Sequence, residues 1–250
     1  MERALGVTAA RATLGEAAHL EGRDFVEGAL AALGIESERA APPASREEIP
    51  ASGPLVVVAN HPFGLADALL ALSIVLPVRP DLKVAANRSL AVFPQLRDQT
   101  VAISVSHARH KSVGGTRKLV RHLEAGGALL IFPAGRVAGR GRRGAVEDHP
   151  WSPGIGKLVR LSGAAVVPMA FEGANSRSFY LARRMHFRLG TLLLLRELLN
   201  KRGRRIAVHV GELISATEAG ESSSPALLTE HLRHKTDNLT RFATTVRRPS

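Results

Sequence analysis

The 250-residue chain contains no cysteine. Disulfides, thiolate metal sites and cysteine nucleophiles are excluded together, so any thioester chemistry must depend on some other residue. Such a chain fits a reducing cytosol. Aromatic residues are scarce too, at 4% with one Trp and one Tyr, which leaves little of the stacking surface that single-stranded nucleic acids use. There is no run of about eighteen uncharged apolar residues, the length a membrane span requires. Leu55 to Val78 comes nearest, but His61, Pro62, Gly64 and Asp67 interrupt it, so it reads as a strand followed by a helix. The opening stretch MERALGVTAARATLGEAAHLEG lacks the apolar core of a signal peptide, and export by that route is not expected. No Gly-x-Ser-x-Gly elbow is present, which argues against a serine lipid hydrolase.

What is abundant is positive charge and apolar surface. Apolar residues make up 45% of the chain, enough for one sizeable α/β domain with its own core. The net charge of +12, mostly arginine, points to an anionic partner: nucleic acid, an acidic lipid surface or a phosphorylated substrate.

From Ala9 to Gly34 apolar positions recur at helical spacing, and Gly34 is a natural stop, giving an N-terminal helical segment over about residues 1–45. Ser37 to Gly53, rich in Glu, Arg, Ala and Pro, reads as a surface connector into the main domain, residues 46–250. Strands follow at Val56–Asn60, Leu82–Ala86, Thr100–Val105, Ala128–Phe132 and Ala165–Phe171. Helices are expected from about Asp67, over Gly115–Ala125 and over Gly154–Leu161, with Asn87–Arg97 as a broken helix or loop. The last third supplies a Leu-rich helix at Leu189–Asn200, a strand at Arg205–Val210 and a helix at Pro225–Phe242. Strands alternating with helices predict an α/β fold with a mostly parallel central sheet flanked by helices.

The organising stretch is Val56 to Leu72. A buried strand delivers His61 into a turn made by Pro62 and Gly64, and Asp67 stands at the start of the next helix. A carboxylate there can orient an imidazole and stabilise it once protonated, so His61 and Asp67 form a candidate general-base pair, although Asp67 also suits a helix N-terminus for capping reasons alone. His19 and Asp24 make a second His/Asp spacing, but no strand precedes them and their neighbours are polar, as on a solvated helix face. At the end of ALLIF, Pro133 and Gly135 make a turn whose amides, with Arg136, can hold a phosphate or an oxyanion. Arg140, Arg142 and Arg143 follow as a solvated basic loop or an RNA-binding tract. Glu172 and Asn175, on the loop after AVVPMAF, are further candidates, with turn-forming chemistry as the alternative. Phe179 to Arg205 mixes apolar runs with Arg and Lys, as either a bilayer-surface element or a core-packed helix with basic caps.

With these segments in order, the chain from about Pro54 to Ile214 resembles the glycerolipid acyltransferase superfamily, which includes lysophosphatidic acid acyltransferases, and more closely its hemolysin-like bacterial branch. NHPFGLAD resembles the first block of that branch, IFPAG the third and VVPMAFEGANSRSFY the fourth, while RELLNKRG followed by IAVHVGELI is also similar. There are departures. His61 and Asp67 enclose five residues where the superfamily usually has four, a spacing that branch carries; Ala134 stands where Glu is common, with Arg136 directly after the glycine. AISVSHARH lacks the usual second-block arginine, although Arg109 is near.

The resemblance implies a glycerol-phosphate-acyltransferase-like fold and transfer of an acyl chain from acyl-coenzyme A or acyl carrier protein to a lysolipid hydroxyl. It makes His61 the base and Asp67 its orienting acid, and it places Asn60, Gly64, Phe132, Pro133, Gly135, Arg136, Glu172 and Asn175 around the substrates. No cofactor, metal or nucleic acid is expected. A peripheral enzyme on the cytoplasmic, inner face of the membrane, docked on anionic lipid, is. Two other classes stay open: a noncatalytic member that binds anionic lipid, and a basic nucleic-acid-binding α/β protein indifferent to His61.

Overall fold

The computed structural model describes residues 6–39, 49–86, 90, 92–103, 113–141 and 145–246. Arg109, Arg142, Arg143 and most of the expected connector lie outside the described residues. In chain order the elements begin with α1 (Val7–Thr13), α2 (Gly22–Leu33), β1 (Glu36–Arg39), β2 (Leu55–Ala59), α3 (Leu65–Val75), β3 (Lys83–Ala86) and β4 (Thr100–Ala102). Next come α4 (Val113–Glu124), β5 (Ala128–Ile131), a small hairpin of β6 (Gly139–Arg140) and β7 (Val146–Glu147), α5 (Gly154–Ser162) and β8 (Ala165–Phe171). The chain then passes through α6 (Arg177–Met185), α7 (Phe187–Leu199), β9 (Arg205–Val210), α8 (Ala216–Glu221) and α9 (Pro225–Val246).

A seven-stranded sheet runs in the order β1-β9-β8-β2-β5-β3-β4. Its neighbours are parallel except β8 and β9, which are antiparallel. β2 is central and buried along its whole length, and its side chains alternate between two cores. Leu55, Val57 and Ala59 pack with α2 and α3, while Val56 and Val58 pack with α4, α5 and α9. Because both faces are covered, this strand reads as a continuous β-branched run rather than an alternating one. α3 is buried at every position but Ser73, which explains its Ala/Leu composition.

The expected elements are largely present, with three differences. The stretch read as connector from Ser37 begins with edge strand β1, whose polar sequence ESER pairs parallel to β9. Phe25, Val26, Leu30 and Leu33 of α2 share one core with the sheet, so the N-terminal helices pack as part of the same body. Phe179 to Arg205 contains two helices broken at His186, followed by a turn. His19 and Asp24 are both solvent-exposed.

At the amino-terminal end of the strands Arg79, only 1% exposed, ties the chain together. It donates to the Asp81 carboxylate at 2.8 and 2.7 Å, to the Gly53 carbonyl at 2.9 Å and to the Gly126 carbonyl at 2.8 Å. Asp81 in turn accepts the Ala128 N–H at 3.0 Å. The Arg79 guanidinium holds the Asp81 carboxyl below its ordinary value. The opposite, carboxyl-terminal end of the sheet is where ligands bind in open α/β folds, and there β2 releases His61.

Candidate active site

The chain turns over Asn60 to Gly64 before α3 begins. Gly64 has φ +99°, and a Cβ there would stand 2.8 Å from Leu194 Cδ2, so both backbone conformation and space require glycine. Asp67, fully buried in the first turn of α3, reaches back over this turn. Its Oδ2 accepts the N–H groups of Phe63 at 2.9 Å and Gly64 at 2.8 Å. The same oxygen lies 2.9 Å from His61 Nδ1. That approach is off the hydrogen-bonding angle, leaving Nδ1 and Asp67 Oδ1 as buried atoms without an aligned partner.

Backbone and ring contacts together fix His61. Its ring stacks on Phe132, centroids 4.1 Å apart at 24°. Its carbonyl accepts the Ala138 N–H at 2.7 Å, and its N–H donates to Asp148 Oδ1 at 3.0 Å. Asp148 is steadied by Trp151, whose Nε1–H donates to Oδ2 at 3.1 Å. Burial pushes the Asp148 carboxyl above its ordinary value. Sequence reasoning passed over this pair; a lone Trp three residues after an acid, beyond a Gly/Arg-rich loop, was the signal available.

His61 opens on a largely apolar cavity of about 140 Å³. Among the expected residues His61, Gly64, Phe132, Gly135 and Arg136 line it, and the apolar walls come from Leu65, Val84, Leu90, Val137 and Leu194. The Gly135 N–H is used within its own turn, donating to the Phe132 carbonyl at 2.9 Å, so the Arg136 side chain is the group of this turn that offers positive charge to the cavity.

The other expected residues stand around the site rather than in this cavity. Pro133 is buried, and its carbonyl accepts the Ser152 N–H at 3.1 Å. Asn60 pairs with the Phe171 backbone in both directions, at 3.0 and 2.8 Å, locking β2 to β8. Asn175 donates to the Phe63 carbonyl at 3.1 Å and accepts from Lys201 Nζ at 3.2 Å. Lys201 lies 3.5 Å from Glu197 and 5.0 Å above the Phe63 ring, and burial lowers its pKa. Glu197 accepts the Ser176 N–H at 2.8 Å, so the RELLNKRG segment forms a buried polar brace behind the His61–Asp67 turn. Glu172 pairs with His209 at 2.7 Å and borders a second, polar cavity of about 660 Å³, shared with Asn60, Pro62 and Asp148.

α6 adds a residue to the first cavity that the sequence did not single out. Arg183 lines it and donates through Nη1 to the carbonyls of Val137 and, at 3.0 Å, Ala138. Its Nη2 lies 2.8 Å from His149 Nε2. Burial first, then Arg136 and Arg183, lower the His149 pKa to about 4, which makes it a neutral acceptor. Among the described residues no cluster of three His, Asp or Glu suited to a metal ion occurs.

The sequence matches the family model described as Acyltransferase over residues 12–243. The chain belongs to the acyltransferase family. It is 26% identical over 217 residues to a lyso-glycine lipid O-acyltransferase of Phocaeicola vulgatus, a match covering 82% of this chain and 74% of that protein. The acyltransferase also matches the crystal structure of the 1-acyl-sn-glycerophosphate (LPA) acyltransferase PlsC from Thermotoga maritima. That match has a TM-score of 0.56 at 18% identity and covers 97% of this chain and 83% of the other. At that identity the likeness speaks for the α/β fold with its mostly parallel sheet.

Proposed function

We propose that this acyltransferase esterifies the hydroxyl of an anionic lysolipid with a fatty acyl group carried as a thioester on coenzyme A or acyl carrier protein. The observation that carries this reading is the buried Asp67 carboxylate, 2.9 Å from His61 Nδ1, behind an imidazole that lines an apolar cavity. Asp67 favours the tautomer with its proton on Nδ1, leaving Nε2 free to accept. The lysolipid oxygen attacks the thioester carbonyl as its proton passes to Nε2. The tetrahedral intermediate expels the thiolate, which recovers that proton from the imidazolium; an ester and a free thiol are the products. No covalent enzyme intermediate is involved, so the absence of cysteine is no obstacle. General-base assistance of this kind supplies roughly 10²- to 10⁴-fold.

Arg136, on the cavity wall, holds the anionic head group of the acceptor. The names of the relatives support a lysolipid acceptor, a lyso-glycine lipid in one case and 1-acyl-sn-glycerophosphate, which carries a phosphate, in the other. Docking is peripheral, on the anionic inner face of the membrane. The net charge of +12 supports this, as do the exposed apolar side chains of Leu181, Met185 and Leu192 on α6 and α7, two helices that also line the cavity. No helix among the described residues is long and apolar enough to cross a membrane.

The test is mass-spectrometric detection of acyl transfer, offering purified protein a panel of lysolipids with both kinds of donor beside His61→Ala. A diacyl product that disappears in the variant supports the assignment. Vesicle binding by both proteins without product from either rejects catalysis and leaves a lipid-binding protein.

A further inference from the structure

Arg183 is held by an unusual set of partners. Both Nη1 hydrogens go to backbone carbonyls, of Val137 and Ala138, and Nη2 meets the neutral ring of His149. No described carboxylate lies within ion-pair distance of Arg183 or of Arg136, although both line the cavity that holds His61. The two guanidinium groups act on each other unfavourably, and burial and Arg136 together lower the Arg183 pKa. A half-buried Arg183, whose partners are carbonyls and a neutral imidazole, beside a solvent-exposed Arg136 of like charge, forms a cavity wall that an anion relieves. The Arg183 Nε–H has no partner among the described residues. Nε and Nη2 share the edge of the planar group that meets a carboxylate or phosphate with two parallel bonds.

We propose that Arg183 is a specificity residue of this acyltransferase: its Nε/Nη2 edge, together with Arg136, binds the carboxylate or phosphate head group of the acceptor. The inference rests on the lysolipid reading above and adds which residue selects the acceptor.

Placement separates acceptor from donor. Arg183 donates to the Ala138 carbonyl, and the Ala138 N–H donates to the His61 carbonyl at 2.7 Å, so the guanidinium stands two hydrogen bonds from the catalytic turn. The nearest phosphate of a coenzyme A or acyl carrier protein thioester lies a full pantetheine arm from its reacting carbonyl. The head group of a lysolipid is only a few bonds from its hydroxyl. An anion site this close to His61 fits the acceptor. The same strap lets an occupied head-group site steady the histidine backbone, so binding and chemistry are joined through Ala138.

The experiment compares wild type, Arg183→Gln and Arg183→Lys with three acceptors: an N-(3-hydroxyacyl)glycine, its neutral primary amide, and lysophosphatidic acid. KM is read separately for acceptor and for acyl-coenzyme A. In Arg183→Gln the KM for one or both anionic acceptors should rise about 10- to 100-fold, the scale of a lost charge-assisted pair of hydrogen bonds. The KM for the amide and for the donor should hold. Whichever anionic acceptor moves names the head group. Arg183→Lys should recover part of the charge preference but not the two-bond geometry. Equal binding by wild type of N-dodecanoylglycine, which has the carboxylate but no hydroxyl to acylate, and of its amide would overturn the proposal. This measurement needs no turnover, so it decides the head-group site even where the lysolipid reading fails for want of product. Two other results also overturn it: a KM rise confined to the donor, or a fall in thermal stability with every KM unchanged, which would make Arg183 a structural strap.

Discussion

Replacing Asp67 with asparagine separates the charge behind His61 from the scaffold that holds it. Asp67 Oδ2 accepts the Phe63 and Gly64 N–H groups and sits 2.9 Å from His61 Nδ1. An amide oxygen can keep both backbone bonds, so the turn should stay folded. The charge is lost. Opposite unit charges at that separation attract by about 6 kcal/mol at an effective dielectric of about 20. A neutral amide oxygen facing the imidazolium keeps about 2–3 kcal/mol of this as a charge-assisted hydrogen bond. The remainder, about 3–4 kcal/mol, corresponds to a fall in kcat of about 10²- to 10³-fold. The asparagine NH₂ takes the place of Oδ1, which has no partner, and costs about 1 kcal/mol or about 2–4 °C in Tm. The assay is single-acceptor acyl transfer with initial rates over a range of lysolipid concentration, beside a thermal melt. A folded variant with kcat within threefold of wild type would refute the claim that Asp67 acts through charge on His61.

Asp148→Ala removes the acceptor of the His61 N–H and of Trp151 Nε1–H; a loss of about 2 kcal/mol of stability is expected by denaturant unfolding, with a lower kcat and an unchanged acceptor KM. Gly64→Ala combines a φ of +99° with a contact of 2.8 Å to Leu194, and should cost about 2–3 kcal/mol in a thermal melt. His149 titrates at about 4 when folded against an ordinary 6.5. The unfolded chain therefore binds a proton that the native protein resists, and stability falls as pH drops from 6.5 towards 4. The group is partly solvated, so about 1 kcal/mol should be lost over that window, and His149→Gln should flatten this part of a pH series of melts.

The geometry at the head of the site was legible because it is local. NHPFGLAD carries the strand end, the turn that needs glycine and the acid in the first helical turn within eight residues. The partners that fix this turn were not legible, because they arrive from far along the chain. Asp148 meets the His61 N–H across 87 residues, and Arg183 meets the Val137 carbonyl across 46. No period or spacing in a single sequence encodes such distances. Asn175 was visible as a polar residue on a loop and Asn60 as the end of a strand in a family block, but their amides are spent on backbone and on Lys201, which only packing reveals. β1 escaped because ESER is an edge strand, paired on one side to β9 and lacking apolar residues to mark a buried face. The fold class itself followed from alternating apolar strands and helices, which need no long-range knowledge.

The Arg79 knot lies at the end of the sheet away from His61 and clasps the starts of β2, β3 and β5 without drawing on any residue of the apolar cavity. Because the strands are fastened there, trimming Val84 or Leu90 on the cavity wall touches none of the contacts that set where β2 starts. Descendants of such a chain can reshape the apolar wall one residue at a time while the strand end that carries His61 stays anchored from the far side of the sheet.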